Sequence, residues 1–215
     1  LTEAMNVVNE RKRPYIVMEG MSDRFMATYK RPFEAKDIKV VMYAGGLHER
    51  YGLKKLTEAF MMLPQENVRV KLFGSGPFVE KLKTKYTKKD SRIQYMGVAP
   101  NAEVVASELD ASLLVNPRPT HEEFTKYSFP SKNIEYMASG TPLLTTKLPG
   151  MPKEYYPYVF LIENESVEGY AKALESVLAQ SDEELYVFGE KAKDFVLEKK
   201  NSFEQAKRVI ELIKL

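Results

Sequence analysis

The chain has 215 residues, of which 44% are hydrophobic and 29% are charged, as expected of a globular protein with one sizeable core or two small ones. The 32 basic and 30 acidic residues leave a net charge of +2, too balanced to indicate nucleic acid as the partner. Cysteine is absent and there are two histidines, so we expect no disulfide and no metal site. No apolar run is long enough for a membrane span, and the first residues do not resemble a signal peptide.

The order of sequence patterns predicts a doubly wound α/β domain. Residues 1–35 have weak periodicity and are expected to be an N-terminal extension or interdomain linker remnant, in a chain cut from a longer one. From residue 38, short β-branched runs alternate with longer amphipathic runs, which is typical of a parallel sheet with helices on both faces. We therefore predict one domain over residues 36–180 and a C-terminal helical tail over residues 181–215. Strands are predicted at 38–43, 68–73, 93–96, 111–115, 142–145 and 158–162, and helices at 52–63, 77–87, 101–108, 130–139, 167–179, 182–199 and 202–214.

Helix ends can be assigned in several places. Pro130 suits a first helical position, Ser128 can cap the same helix, and Gly140 can end it in a left-handed conformation. Asn101 and Ser202 are predicted to precede two other helices, with Glu204 near a capping-box position.

The helix that follows Pro130 has the features of an anion site. Its first backbone N–H groups, the Ser131 hydroxyl and the Lys132 ammonium can all face a phosphate, and a diphosphate suits the site. Glu135 lies about one turn (~5 Å) further along the same face. There its carboxylate can accept hydrogen bonds from both hydroxyls of a ribose. The same residues also fit a capped surface helix with a solvated Lys–Glu pair.

Two glycine-rich turns end at the same edge of the predicted sheet, where such folds bind ligands. Gly45 and Gly46 let the backbone approach a ligand, and Arg50 can contact phosphate. Gly74 and Gly76 follow the second strand, without the third glycine or acidic residue of a dinucleotide fingerprint. Both turns are also explained as tight connections with no ligand.

Two further segments of this edge are candidates for ligand contact. Met96 and Gly97 lie in a short turn, residues 95–98, whose backbone can contact a base. The polar loop at 116–127 is long, and long loops beside a site often carry specificity. Its Glu122 and Glu123 can hold sugar hydroxyls, although solvation is the alternative for at least one of them.

Five segments together resemble a known family: AGGLHERYGLKKLTEAF, KLFGSGP, RIQYMG, LDASLLVNP and YSFPSKNIEYMASGTPLLTT. In this order and spacing they are similar to the C-terminal, donor-binding domain of GT-B-fold retaining glycosyltransferases. The likeness is greatest to the group that includes bacterial polysaccharide and lipopolysaccharide hexosyltransferases (glycosyl transferases group 1). It covers about residues 36–180 and implies a Rossmann-like half of a GT-B fold, with an acceptor domain upstream of the chain.

The resemblance implies a UDP- or GDP-sugar as substrate, with no metal and no tightly bound cofactor. Glu135 matches the second glutamate of the family's E-x7-E motif and would hold the ribose. Lys132 and Ser131 would lie at the diphosphate, residues 95–98 at the base, and Gly45 and Gly46 beneath the phosphates. The acceptor is implied to be a saccharide or lipid-linked molecule, bound through the upstream domain. The expected location is cytoplasmic, with peripheral attachment of the whole protein to the inner face of the plasma membrane as a further option.

The chain departs from the family pattern at three positions. Tyr127 stands where the first glutamate of E-x7-E contacts the donor sugar, which leaves sugar identity open. Gly46 and Tyr51 occupy the places of an arginine and a lysine. We therefore expect Arg50 and Lys132 to neutralise the leaving diphosphate and, with Glu135, to be the catalytic residues.

Two other classes of function stay open. One is the half of a GT-B-like epimerase or phosphorylase, which shares the cleft but performs different chemistry on the sugar. The other is a non-catalytic α/β interaction domain, in which the glycine turns are structural. A nucleotide-dependent dehydrogenase is disfavoured because the glycine fingerprint and its acidic residue are missing.

Overall fold

The computed structural model describes residues 9–214 and contains a six-stranded, entirely parallel sheet. The strand order is β3-β2-β1-β4-β5-β6, so the direction of winding reverses between β1 and β4. This confirms the predicted doubly wound parallel architecture. The strands are β1 (Lys39–Ala44), β2 (Val68–Phe73), β3 (Ile93–Gly97), β4 (Leu113–Asn116), β5 (Leu143–Thr146) and β6 (Phe160–Ile162).

Helices connect the strands and complete the chain. The second helix, α2, covers residues 78–89 and contains a π-type turn over Leu82–Tyr86 between the α-helical segments Phe78–Lys81 and Thr87–Lys89. The others are α1 (Leu53–Met61), α3 (Asn101–Asp110), α4 (Ser131–Ser139), α5 (Val167–Leu178), α6 (Asp182–Lys199) and α7 (Ser202–Ile213).

Hydrophobic cores cover both faces of the sheet because side chains alternate along each strand. In β1, Val41 and Tyr43 pack in the core that includes α1, α2 and α5, whereas Met42 packs in the other. The second core includes α3, α4 and α6. Burial on both faces accounts for the nearly continuous apolar runs of these strands.

The element boundaries differ slightly from those predicted. β1, β4 and β5 begin one or two residues later than expected, while β2 matches residues 68–73. β6 begins at Phe160 because Lys153–Tyr158 forms a short 3-10 helix that takes Tyr158 out of the predicted strand. Such short helices lack a sequence period long enough to detect.

Three cap predictions were wrong. Ser128 donates its hydroxyl proton to the Phe124 carbonyl at 2.9 Å, and Pro130 is the N-cap of α4 without a capping side chain. The cap of α3 is Pro100, because Asn101 is already helical. Asn201 rather than Ser202 caps α7 by accepting from the Glu204 N–H. Gly140 ends α4 in the left-handed conformation, as predicted.

The N-terminal segment contacts the helical tail. Ser22 bridges to Asn201, and the Lys193 ammonium donates to the Tyr29 carbonyl at 2.7 Å. The Arg31 guanidinium donates to three main-chain carbonyls, those of Leu109, Gly140 and Ala111. Of the proposed extension and tail, residues 1–8 and residue 215 lie outside the described residues, and the domain division stays a prediction.

Replacing Gly189 by alanine should destabilise the protein, although alanine is the better helix former. A Cβ at Gly189, within α6, would overlap the Gly140 carbonyl oxygen at the end of α4. We expect Gly189→Ala to cost about 1–3 kcal/mol, measured by urea unfolding. Lys191→Ala, an exposed change on the same helix, is the control. Equal or greater stability of Gly189→Ala would show that the two helices pack less tightly than described.

Candidate functional site

A cavity of about 300 Å³ opens at the carboxyl edge of the sheet, beside the point where the winding reverses. Open parallel sheets bind ligands at this place because adjacent connections diverge there. Its lining comes from the ends of β1 and β2 (Ala44, Gly45, Phe73, Gly74), from α3 and the residues before it (Val98, Ala99, Asn101, Val104, Glu108), and from α4 (Lys132, Glu135, Tyr136).

The start of α4 is available to an anion. No side chain caps it among the described residues, and Ser131 is exposed. Because α4 follows β4 in a parallel sheet, its first N–H groups and the positive end of its dipole lie at the carboxyl edge of the sheet. Lys132 is half-buried and Glu135 is exposed. Both line the cavity, as the helical spacing predicts.

Lys132 is held among aromatic rings. Its Nζ lies 4.0 Å from the centroid of the Tyr43 ring and 6.0 Å from that of Tyr136. Burial, with a smaller contribution from the Arg118 charge, lowers the pKa of Lys132 to about 8, while Glu135 and Glu108 act in the opposite direction. A cation disfavoured by its surroundings gains from an anionic ligand.

Tyr136 joins α4 to the glycine turn after β1. Its hydroxyl accepts from the Ala44 N–H at 2.8 Å and donates to the Ala44 carbonyl at 3.3 Å. Burial raises the pKa of Tyr136 well above its usual value, so the hydroxyl stays protonated and keeps both bonds. Tyr43 donates to the Gly46 carbonyl at 3.0 Å. These bonds fix the turn relative to Lys132.

The predicted site glycines at this edge of the sheet differ in what a Cβ atom would contact at each position. A Cβ at Gly45 would overlap the Lys132 ammonium, and one at Gly74 would overlap the Gly45 carbonyl oxygen. At Gly76 it would overlap the Leu47 carbonyl oxygen. Gly74 and Gly76 therefore let two connections pack together, whether or not a ligand binds. Gly97 has a positive φ of 77° and open space around its Cβ position.

The structure brings together only some of the predicted site residues. Gly45, Gly74, Lys132 and Glu135 line the cavity. The remaining ones, Gly46, Arg50, Gly76, Met96, Gly97 and Ser131, are outside its lining, where Val98 and Ala99 take the place expected for Met96 and Gly97.

Arg50 belongs to a neighbouring cluster of two arginines and two aromatic rings. Its guanidinium carbon lies 5.2 Å from the Tyr51 ring centroid and 5.8 Å from that of Phe124. Arg118 lies over the same rings, at 5.0 and 5.6 Å. Aromatic faces attract cations, and here they hold two like charges near each other. A pair of guanidinium groups in this position can bind phosphate oxygens.

Sequence reasoning missed Glu108 and Arg118. Glu108 is 1% exposed, and burial, reinforced by the charge of Glu135, raises its pKa to about 8. The helical spacing of Asn101, Val104 and Glu108 on one face was the available signal. Arg118 was overlooked within the polar loop, although that loop was singled out.

A second cavity, of about 210 Å³, lies between the N-terminal segment and the start of α6. Several of its charged groups have partners: Arg31 binds main-chain carbonyls, and Lys36 pairs with Asp110 at 2.6 Å. It is the weaker candidate for a ligand site. Within residues 9–214, no group of three or more histidine or carboxylate side chains is arranged to hold a metal ion. Nor does any helix there have the length and apolar character needed to cross a membrane.

The sheet order and flanking helices are those of a GT-B glycosyltransferase domain. The family model described as glycosyl transferases group 1 matches residues 27–214, so the chain belongs to that family. This confirms the resemblance to group 1 glycosyl transferases at the level of the family. No curated protein matches the sequence.

Similar solved structures share the fold at low identity. A variant of S. aureus TarM, crystallised with fondaparinux, alpha-GlcNAc-glycerol and UDP, has a TM-score of 0.75 at 16% identity, over 98% of this chain and 42% of that one. Sucrose-phosphate synthase from Thermosynechococcus elongatus has a TM-score of 0.75 at 19% identity, over 99% and 55%. The C-terminal domain of LpcC, a group 1 family protein from Francisella tularensis, has a TM-score of 0.63 at 18% identity, over 77% and 87%. The chain thus spans about half the length of the first two proteins.

Replacing Lys132 by methionine should stabilise the folded chain at pH 7. Burial lowers the pKa of Lys132 to about 8. At any pH where the folded and the unfolded chain both carry this proton, the buried charge therefore lowers the stability of the folded chain. That penalty is full below pH 8 and declines as pH rises toward the ordinary lysine pKa of about 10.5. We expect Lys132→Met to raise the melting temperature by about 2 °C at pH 7, and by less at pH 10.

The exposed change Lys172→Met on α5 is the control and should have little effect at either pH. A lower melting temperature for Lys132→Met at pH 7 would indicate that contact with the Tyr43 ring outweighs burial of the charge.

Proposed function

We propose that this chain is the donor-binding, C-terminal half of a retaining glycosyltransferase that takes a UDP- or GDP-sugar. The observation that carries this proposal is the uncapped start of α4, with Lys132 and Glu135 lining one cavity. A helix start and an ammonium group bind a diphosphate, and a carboxylate one turn away binds a ribose. The crystallised TarM variant with UDP supports the choice of ligand.

The start of α4 and Lys132 would act by stabilising the leaving group. When the bond from the sugar C1 to the β-phosphate oxygen breaks, negative charge grows on the nucleoside diphosphate. In this proposal the α4 N–H groups and the Lys132 ammonium face that position before the reaction, so little reorganisation is needed. Transfer then needs no metal. The lowered pKa of Lys132 rises again when the anion binds, because an opposite charge favours the protonated form.

Arg50 and Arg118 take over the task of the family's missing cations in this proposal. Tyr51 occupies the place of the family's lysine, and its ring holds both guanidinium groups. Arg118 is close enough to affect the pKa of Lys132, so the three cations form one electropositive region. The β-phosphate and the donor sugar would lie against this region.

The remaining predicted contacts stay part of the proposal. The Gly45 and Gly46 turn and the Ser131 hydroxyl would face the phosphates. Gly74 and Gly76 would let the connection after β2 pack closely against the turn after β1, because neither residue has a Cβ. The base would lie against the turn that contains Met96 and Gly97, together with Val98.

The acceptor would be a saccharide or lipid-linked molecule held by an upstream domain, in a bacterial polysaccharide pathway. The whole enzyme would act in the cytoplasm, with peripheral attachment at the inner face of the plasma membrane as an option. The similarity to a separately crystallised C-terminal domain of LpcC supports the domain assignment. The chain by itself would bind donor and transfer sugar poorly, because half of the cleft belongs to the other domain.

Calorimetric titration with UDP, GDP and ADP tests the donor site. We expect one nucleoside diphosphate to bind, and Glu135→Ala to weaken its binding about 10-fold, the usual loss for one charged hydrogen-bonding group. Glu175→Ala, an exposed glutamate change on α5, should leave the affinity unchanged. If none of the three nucleotides binds, an interaction domain with structural glycine turns becomes the better account.

The cations are tested by comparing the diphosphate with its nucleoside. Lys132→Ala and Arg118→Ala should each weaken binding of the diphosphate about 10-fold while leaving the weaker binding of uridine or guanosine unchanged. Arg11→Ala removes one exposed positive charge elsewhere and serves as the control for net charge. Equal losses for nucleoside and diphosphate would place the two side chains away from the phosphates.

A further inference from the structure

Glu108 occupies the inner end of the cavity. It follows Asn101 and Val104 on the face of α3 that lines the cavity. Because α3 starts at the carboxyl edge of the sheet and runs back along it, Glu108 lies about 10 Å deeper than Asn101. Its backbone is anchored, since its carbonyl accepts from the Thr141 hydroxyl at 2.7 Å and from the Ala111 N–H at 3.3 Å.

The Glu108 carboxyl group is buried with an unused hydrogen-bonding atom. The residue is 1% exposed, and its Oε2 has no hydrogen-bond partner within the described structure. Buried polar atoms normally have a partner, so an orphan in a cavity wall is available to a ligand or to a water molecule that a ligand displaces. An apolar residue at this position would fill the space without leaving an atom unsatisfied.

The surroundings keep this carboxyl group neutral. The charged or titratable groups that face it come from α4: Glu135, Lys132 and Tyr136. Burial and the Glu135 charge raise the pKa of Glu108 to about 8, against the opposing effect of Lys132. A neutral carboxylic acid both donates and accepts hydrogen bonds, whereas the ionised Glu135 only accepts.

We propose that Glu108 and Glu135 form a two-carboxyl site for the ribose of the nucleotide, in which Glu108 donates through its free Oε2 to the 2′-oxygen. Glu135 accepts the protons of the 2′- and 3′-hydroxyls, and the 2′-oxygen keeps a lone pair that faces Glu108. The 2′-hydroxyl is the one nearer the base, on the side of the cavity that α3 forms with Val98 and Ala99. This inference rests on the proposed donor site and makes that site specific for ribonucleotides.

The test compares ribonucleotides with their 2′-deoxy forms, using UDP, GDP and the deoxy counterpart of each in calorimetric titrations. We expect the chain to prefer the ribo form about 10-fold at pH 7. Glu108→Leu should lower that preference several-fold, because only the contact of Glu135 with the 2′-hydroxyl then remains. Glu108→Gln keeps a donor and an acceptor, so it should retain the preference.

The pH profile separates a binding role from a structural one. The preference of the unaltered chain should decline as pH rises above about 8, where Glu108 ionises and cannot donate. The preference of Glu108→Gln should stay constant from pH 6.5 to 9. Titration of Lys132 affects both forms of a nucleotide and cancels in their ratio. If Glu108→Leu fails to fold, the contrast between Glu108→Gln and the unaltered chain still decides the question.

Three results overturn the inference. A ribo preference unchanged in Glu108→Leu, with binding still weakened by Glu135→Ala, would contradict the role of Glu108 alone and leave the donor site standing. A pH profile shared by Glu108→Gln and the unaltered chain would do the same. Absence of binding by every nucleotide would overturn both the donor site and this extension of it.

Discussion

The candidate site depends on the pair of hydrogen bonds between the Tyr136 hydroxyl and the backbone of Ala44. They join the first turns of α4 to the end of β1, across the point where the winding of the sheet reverses. Lys132 and Glu135 are positioned by this connection because both lie on the same helix within one turn of Tyr136. Loss of the connection would separate the glycine turn from the ammonium group that touches it.

The site is electrostatically costly to the folded protein without a ligand. A partly buried lysine with a lowered pKa, two arginines over shared rings and a buried glutamate with a raised pKa lie within one region. Such arrangements reduce stability in exchange for function, as at many binding sites. A diphosphate would satisfy the cations, and a ribose would satisfy the carboxyl groups.

The sequence was sufficient for the sheet and for the α4 part of the site. Alternating β-branched and amphipathic runs located all six strands, and the Pro130 to Gly140 segment located the anion helix. The predicted cap at Ser128 was wrong because its hydroxyl binds the Phe124 carbonyl in the preceding turn instead of the helix. Loop geometry determines this contact. Arg118 and Glu108 were missed because their significance comes from neighbours distant in sequence, Tyr51 for one and Glu135 for the other.

The central claim is that a nucleoside diphosphate binds against the start of α4 and the end of β1. Backbone amide NMR of the chain during titration with UDP or GDP tests it most directly. The account predicts saturable shifts concentrated at Gly45, Gly74, Val98 and residues 131–135, with the distant helix α5 unaffected. Shifts confined instead to the second cavity, around Arg31 and Tyr186, would contradict it.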